Sequence, residues 1–222
     1  MRRILILDTE TSGLDPAKDQ LLEVGLVLWS VEHCTTVASA SWLIYGTENP
    51  AQAINGIPPA VLVEGRDRGL VVTEIIDVWA ESADAIAAHG DFERQWFADL
   101  GRPWIDTCWD IDWPRASSAD SRKVHALCLA HGLAVLDAHR ALPDCQLLAR
   151  LLERVAELGH DVGRLLERAM RPKVKVVSLA PFSEKDTVKL AGFRWSPERK
   201  EWWRMMPVED VAALPFRTRV AP

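Results

Sequence analysis

Residues 3–16 read RILILDTETSGLDP. A short apolar run ends at Asp8, Glu10 follows two positions later, and the TSGLDP segment carries turn chemistry. An apolar run of this length bounded by turn residues reads as a buried strand, here one that ends in acid where a central strand meets a site. Side chains two apart on an extended chain share a face, so Asp8 and Glu10 point the same way. Two carboxylates about 5 Å apart repel by about 3 kcal/mol at an effective dielectric of about 20. A strand end that keeps both ionised calls for a cation, and hard oxygen ligands suit Mg²⁺ or Mn²⁺.

Outward from this segment, residues 21–29 (LLEVGLVLW) and 36–45 (TVASASWLIY) read as two further strands of an antiparallel meander. INGIPPAVL at 54–62 is a loop leading into a short helix, residues 71–80 have a helical pattern, and ADAIAAH at 83–89 is a short buried strand. DFERQWFADL at 91–100 is expected to form an amphipathic helix, and residues 101–121 an irregular connection. RKVHALCLAHGL at 122–133 is helical and stops at Gly132. LPDCQLLARLLERVAEL at 142–158 is a strong helix with Pro143 in its first turn. Strands first, then strand–helix alternation, predict a mixed sheet with helices packed on it.

The composition bounds the alternatives. The chain has 222 residues and is 48% hydrophobic, enough for one full-sized domain and a smaller one. No apolar run reaches the about 18 residues that would suggest a membrane span, and acids interrupt the N-terminal stretch at once, so it reads as a strand and not a signal peptide. Four cysteines with no CxxC pair argue against a disulfide framework or a zinc site and point to a reducing cytoplasm. The net charge of −6 is unevenly spread: residues 173–222 hold ten Lys and Arg against six Asp and Glu, and the rest hold sixteen against twenty-six. An acidic body and a basic tail fit a carboxylate-lined metal site and a segment that meets phosphates.

Three more residues join the first pair of acids. Asp144 lies on the stripe of Leu148, Leu151, Leu152 and Val155, at the N-terminal end of its helix. A carboxylate on a buried face is costly unless paired or bound to a metal, although a helix N-terminus alone also favours negative charge. His139, five residues earlier, sits before the same helix end, where a neutral imidazole could take a proton from water. In AHGDFERQWF, Glu93 shares a helical face with Trp96, Phe97 and Leu100. Asp91 faces the other way and reads better as an N-cap, so Glu93 is the favoured fourth acid.

Together these residues resemble the DEDDh 3′→5′ exonucleases, the family of the proofreading epsilon subunit, ribonuclease T and oligoribonuclease. LDTETSGLDP matches the family's first motif. HRALPDCQLLARLL matches its His-x4-Asp motif followed by a Leu-rich helix, and the resemblance covers about residues 3–158. In the second motif AHGDFERQW is one residue shorter than the family's pattern, and aligning on Phe92 puts Glu93 where the family has aspartate. The resemblance implies an α/β, ribonuclease-H-like mixed sheet flanked by helices. It implies two Mg²⁺ or Mn²⁺ ions held by Asp8, Glu10, Glu93 and Asp144, with His139 as general base. Thr11, Leu14 and His89 would contact the substrate, a single-stranded or 3′-end DNA or RNA cut to nucleoside 5′-monophosphates. A replication or repair partner would fit such an enzyme, and a membrane would not. The alternative is an exonuclease fold that only binds nucleic acid or a partner because its metal site is impaired.

A boundary is expected near Arg171-Pro172, dividing a 1–170 exonuclease domain from a 173–222 module. In the module, VKVVSLA reads as a strand and SEKDTVKLAG as a helix with a capping box at Ser183 and Asp186 and a stop at Gly192. FRW-SPERK-EWWRMM reads as a hairpin. This small α+β, Trp-rich unit resembles modules found beside DNA-processing enzymes. Arg194, Trp195, Lys200, Trp202 and Arg204 interleave cations with rings, the composition of a nucleic-acid contact, while a module so small also needs some of those rings as core.

Overall fold

Strand β1 (Arg3–Thr11) sends alternate side chains into two separate cores. The computed structural model describes residues 1–97, 99–114, 122–135 and 139–221. β1 pairs antiparallel with β2 (Leu21–Ser30), which pairs antiparallel with β3 (Thr35–Leu43). On its other side β1 pairs parallel with β4 (Ala85–Ala88), and β4 parallel with β5 (Trp104–Asp106). The order β3-β2-β1-β4-β5 is the mixed sheet that the meander followed by strand–helix alternation predicts. β2 is buried along its whole length, and for that reason reads as a nearly continuous apolar run.

Helices cover both faces. After β3 come α1 (Gln52–Asn55), α2 (Pro59–Leu62) and α3 (Arg68–Glu74), which runs into a π-helical turn at Ile75–Ala80. α4 (Val124–Ala130), α5 (Ala141–Glu157) and α6 (Val162–Ala169) follow β5. On one face Ile4 and Ile6 of β1 pack with Leu148, Leu151, Leu152 and Val155 of α5, the stripe on which Asp144 was placed. On the other, Leu5 and Leu7 pack with Val71, Ile75 and Trp96. None of the helices among the described residues is long and apolar enough to cross a membrane.

Residues 173–221 form a second, four-stranded sheet: β6 (Lys173–Ser178), α7 (Lys185–Leu190), β7 (Arg194–Ser196), β8 (Glu201–Pro207) and β9 (Thr218–Val220), in the order β7-β8-β6-β9. The β7–β8 hairpin is as expected, and Gly192 takes the left-handed conformation that ends α7. Val176, Val188, Phe193 and Met206 form its core, with Trp202 packed against it.

Several local expectations change. Residues 91–97 do not make the expected helix. A single 3₁₀ turn at Glu93–Gln95 follows β4, and Trp96, Phe97 and Leu100 reach the core from irregular backbone. Asp91 caps nothing, since the turn begins at Phe92 without a side-chain cap. No capping box forms at Ser183, because a 3₁₀ turn at Phe182–Glu184 leads directly into α7. The stretch at 101–121 contains β5, and its part at 115–121 lies outside the described residues. α6, capped by Asp161, and β9 are elements the periodicity did not announce.

The close seating of α5 on the sheet depends on Gly25 of β2. A β-carbon there would lie 2.3 Å from the backbone of Ala141 and Leu142, at the first turn of α5. Gly25→Ala is expected to destabilise the fold by about 1–3 kcal/mol. Melting should fall by about 2–4 °C per kcal/mol at this chain size, as read by thermal unfolding.

Candidate active site

The carboxylates gather at the C-terminal end of β1. Asp8, Glu10 and Asp144 each offer an oxygen within 4.8 Å of the others'. In the β1–β2 register Asp8 lies opposite Gly25 and Glu10 opposite Glu23. The bare glycine leaves room for the start of α5, which brings Asp144 over Asp8. Glu93 comes from the 3₁₀ turn after β4, is only 5% exposed, and meets Asp8 in a carboxyl–carboxyl hydrogen bond. Asp91 is exposed on the same turn.

A buried ion pair fixes the helix that carries Asp144. Glu23 accepts from Arg140 Nε at 2.8 Å and Nη2 at 2.7 Å, from the Ser41 hydroxyl at 3.1 Å and from the Ala141 N–H at 3.2 Å. This carboxylate thereby satisfies one of the open N–H groups at the start of α5, where the helix has no side-chain cap of its own. His139 sits just before, with positive φ, and its backbone N–H donates to Asp144 Oδ2 at 3.1 Å. Its exposed ring lies 6.3 Å from that of His125, on α4. His125 was not legible in the sequence, where nothing distinguishes it from other helix residues. Its Nε2 stands 3.7 Å from Asp144 Oδ1, and neither atom has a hydrogen-bond partner among the described residues.

The electrostatics follow from crowding and burial. Burial first, then the charges of Glu93, Asp144 and Glu10, push Asp8 well above the usual carboxylate range. Burial, with Asp144 and Glu23 beside it, raises Glu10 to about 7 against the pull of Arg140. Burial raises Glu93 to about 7, while its hydrogen bond with Asp8 pulls it the other way. Such a cluster binds protons or cations strongly. Glu93 Oε2 and Asp144 Oδ1 are buried without a hydrogen-bond partner among the described residues, as carboxylate oxygens of a cation site would be.

A cleft of about 310 Å³ opens beside these acids, lined by Asp8, His89, Val124, His139, Asp144 and Leu148. His89 is a wall of it with both ring nitrogens engaged inside the protein. Nε2 donates to the Arg122 carbonyl and Nδ1 meets the Thr107 hydroxyl, each at 2.9 Å, and burial lowers the ring to about 4, so it stays neutral. Thr11 is buried and donates its hydroxyl to the Gly13 carbonyl at 2.6 Å. Asn55 braces the same turn by donating to the Thr11 carbonyl, and Asn49 holds Asn55, which gives INGIPPAVL a structural part in the site. Leu14 is 81% exposed at the tip of the turn.

The other anticipated contacts lie in the second sheet, and two of them are occupied. Arg204 donates to Asp112 at 2.7 Å and to the Ala191 carbonyl at 2.8 Å, and its side chain is only 15% exposed. This ion pair and that of Lys173 with Asp110 tie the basic tail to the acidic body. Arg194 is held 4.7 Å over Trp109 and 4.1 Å over Trp203. Trp195, Lys200 and Trp202 remain at the surface or half-buried.

Metal binding should compete with protons at this cluster. The rise in melting temperature on adding Mn²⁺ is expected to be small near pH 5 and to grow towards pH 8, as Glu10 and Glu93 ionise around 7. In the metal-free protein the same groups have folded values above their unfolded ones. Their contribution to stability is therefore present below about pH 4.5 and lost as pH rises through 7. His89, lowered to about 4, acts oppositely between there and about 6.5, so the clean window is above that pH. Differential scanning fluorimetry with and without Mn²⁺ measures the effect, and Asp8→Asn should flatten it.

No profile of a known family matches the chain. The DNA polymerase III PolC-type protein of Thermotoga maritima is 26% identical over a 196-residue alignment that covers 80% of this chain and 14% of that protein. The chain thus spans about a seventh of the length of the curated relatives it matches. Among solved structures, exonuclease X in complex with 5′ overhanging duplex DNA superposes with a TM-score of 0.57 and 23% identity, covering 74% of this chain and 98% of that one. The nuclease domain of 3′hExo, described as a DEDDh family member bound to rAMP, superposes with a TM-score of 0.57 and 15% identity, covering 72% and 94%. With its mixed sheet flanked by helices, the chain has the ribonuclease-H-like fold of the DEDDh 3′-exonuclease structures.

Proposed function

We propose that the chain is a 3′→5′ exonuclease of the DEDDh type that hydrolyses terminal phosphodiesters of DNA or RNA and releases nucleoside 5′-monophosphates. The observation that carries this reading is the convergence of Asp8, Glu10 and Asp144 within 4.8 Å, with Glu93 against Asp8 and His139 at the rim. The donor set fits hard divalent ions: all ligand atoms are carboxylate oxygens, and two of them are buried without partners. Asp8, Glu10, Glu93 and Asp144 would hold two Mg²⁺ or Mn²⁺ ions, which when bound polarise the phosphate and acidify a water.

The chain's own residues supply the rest. His139 takes the proton of the attacking water on its exposed ring, and its backbone tie to Asp144 keeps that ring at the mouth of the cleft. Leu14 offers an apolar face to the terminal base, and Thr11 holds the turn that presents it. His89, neutral and doubly bonded, shapes the cleft wall that faces the substrate. The burial of Glu93 and its contact with Asp8 support catalysis over a binding-only role. Four free cysteines suit the reducing cytoplasm, and the PolC-type relatives make a replication or repair partner the natural one to seek.

The test is release of mononucleotides from labelled single-stranded DNA, duplex DNA and short RNA in Mg²⁺ or Mn²⁺. Asp8→Ala should abolish it, and His139→Ala should lower kcat by about 10²–10⁴-fold. Glu93→Gln should be strongly impaired, with Asp91→Asn near the wild-type rate. No release in either metal would sink the proposal, and activity kept in Glu93→Gln but lost in Asp91→Asn would reassign the fourth acid.

A further inference from the structure

The second sheet presents one face whose composition the body does not use. Phe182 is 77% exposed and Trp195 47% exposed, and Trp195 lies 5.5 Å from Trp202 in a tilted pair. Lys185 stands 4.6 Å over Phe182 and Lys189 5.8 Å over Trp202, so each ammonium is held beside an aromatic ring. These five side chains line a single shallow recess, and no carboxylate among the described residues lines it with them. The adjoining recess adds Arg199 and Lys200 at the hairpin turn. Its one acid, Glu201, is already bonded to Lys175 and Arg219.

The charges sort by position. Lys173 and Arg204 pair with Asp110 and Asp112 of the body, and Lys175 and Arg219 pair with Glu201. Lys185, Lys189, Arg199 and Lys200 have no ion pair among the described residues. Cations left unpaired around exposed rings are complementary to a polyanion that carries free aromatic faces. Single-stranded nucleic acid is such a polymer: its bases stack on rings in a sequence-tolerant way while its phosphates meet the cations. A duplex keeps its base faces covered, and an acidic peptide does not carry a stackable ring on every unit.

We propose that the face formed by Phe182, Lys185, Lys189, Trp195 and Trp202 binds single-stranded DNA or RNA, away from the carboxylate site. Holding a strand there while its 3′ end is processed is a use that rests on the exonuclease reading. The binding itself does not.

The experiment is therefore done without turnover. Fluorescence anisotropy in EDTA follows the full chain binding a labelled oligothymidylate of roughly 16 nucleotides. The double variant Phe182→Ala/Trp195→Ala should weaken binding at least about tenfold, from loss of stacking worth about 1–3 kcal/mol per ring. Lys185→Glu/Lys189→Glu, on half-buried and exposed helix positions outside the module's core, should weaken it and flatten its salt dependence. An unchanged melting temperature shows that the variants fold. In Mg²⁺, both variants should cut a dinucleotide at the wild-type rate and show a raised KM on the long strand. Wild-type affinity in both double variants, or equal wild-type affinity for blunt duplex, overturns the proposal and leaves this face to a protein partner. Loss of turnover with binding intact would instead fault the exonuclease reading alone.

Discussion

Glu10 and Glu23 stand directly opposite each other across β1 and β2, and the body is arranged around that opposition. Like charges in cross-strand register destabilise a sheet. The structure gives the two acids different neighbours, a counter-charge for Glu23 and further carboxylates for Glu10. Glu23 is buried and takes Arg140 in a two-pronged pair, which leaves Glu10 to the neighbours Asp8 and Asp144. Because Arg140 and Ala141 both bond to Glu23, the start of α5 is anchored to β2, the neighbour of the strand that carries Asp8 and Glu10. His139 and Asp144 flank that anchor in sequence and are delivered to the site by it. The bonding is good enough to offset the desolvation of a buried carboxylate, the condition under which such a pair holds a structure together.

Much of this was readable. The apolar run ending in Asp8 and Glu10, the meander after it, and the Leu-rich helix behind Asp144 are dictated by local pattern, and tertiary packing agrees with it at each point. The stretch at 91–100 was misread because its apolar residues have helical spacing but satisfy their burial from a 3₁₀ turn and irregular backbone. Periodicity reports which residues go inside and not which backbone takes them there. The Glu23–Arg140 pair joins residues 117 apart, and His125 reaches Asp144 from another helix. Such pairings carry no local signal. The capping box at Ser183 failed because a turn matching the motif continued as 3₁₀ into α7.

The charge asymmetry between body and tail has two outlets, and only one was anticipated. Part of the tail's positive charge neutralises Asp110 and Asp112, two acids of the loop after β5, and so fixes the second sheet to the body. Arg194, wedged between a tryptophan of each unit, reinforces the junction through its planar guanidinium. The cations on α7 and at the hairpin turn form no ion pair among the described residues, and they surround Phe182, Trp195 and the open edge of Trp202, which otherwise packs against the small core. Net charge alone could not separate these roles.

The turn after β4 still brings an acid to Asp8 although its motif is one residue shorter than the pattern it resembles. Gly90, with φ of 134°, lets the chain leave β4 abruptly, in a conformation that residues with a β-carbon rarely adopt. The backbone then turns through one 3₁₀ step, and the acid at its start must reach Asp8 from there. Glutamate has one methylene more than aspartate, about 1.5 Å of extra reach, and the side chain of Glu93 uses it to arrive buried and in contact with Asp8. A longer acid on a short loop thus brings its carboxylate to Asp8. On that account Glu93→Asp, which shortens the acid without lengthening the loop, should perturb the site more than its conservative chemistry suggests.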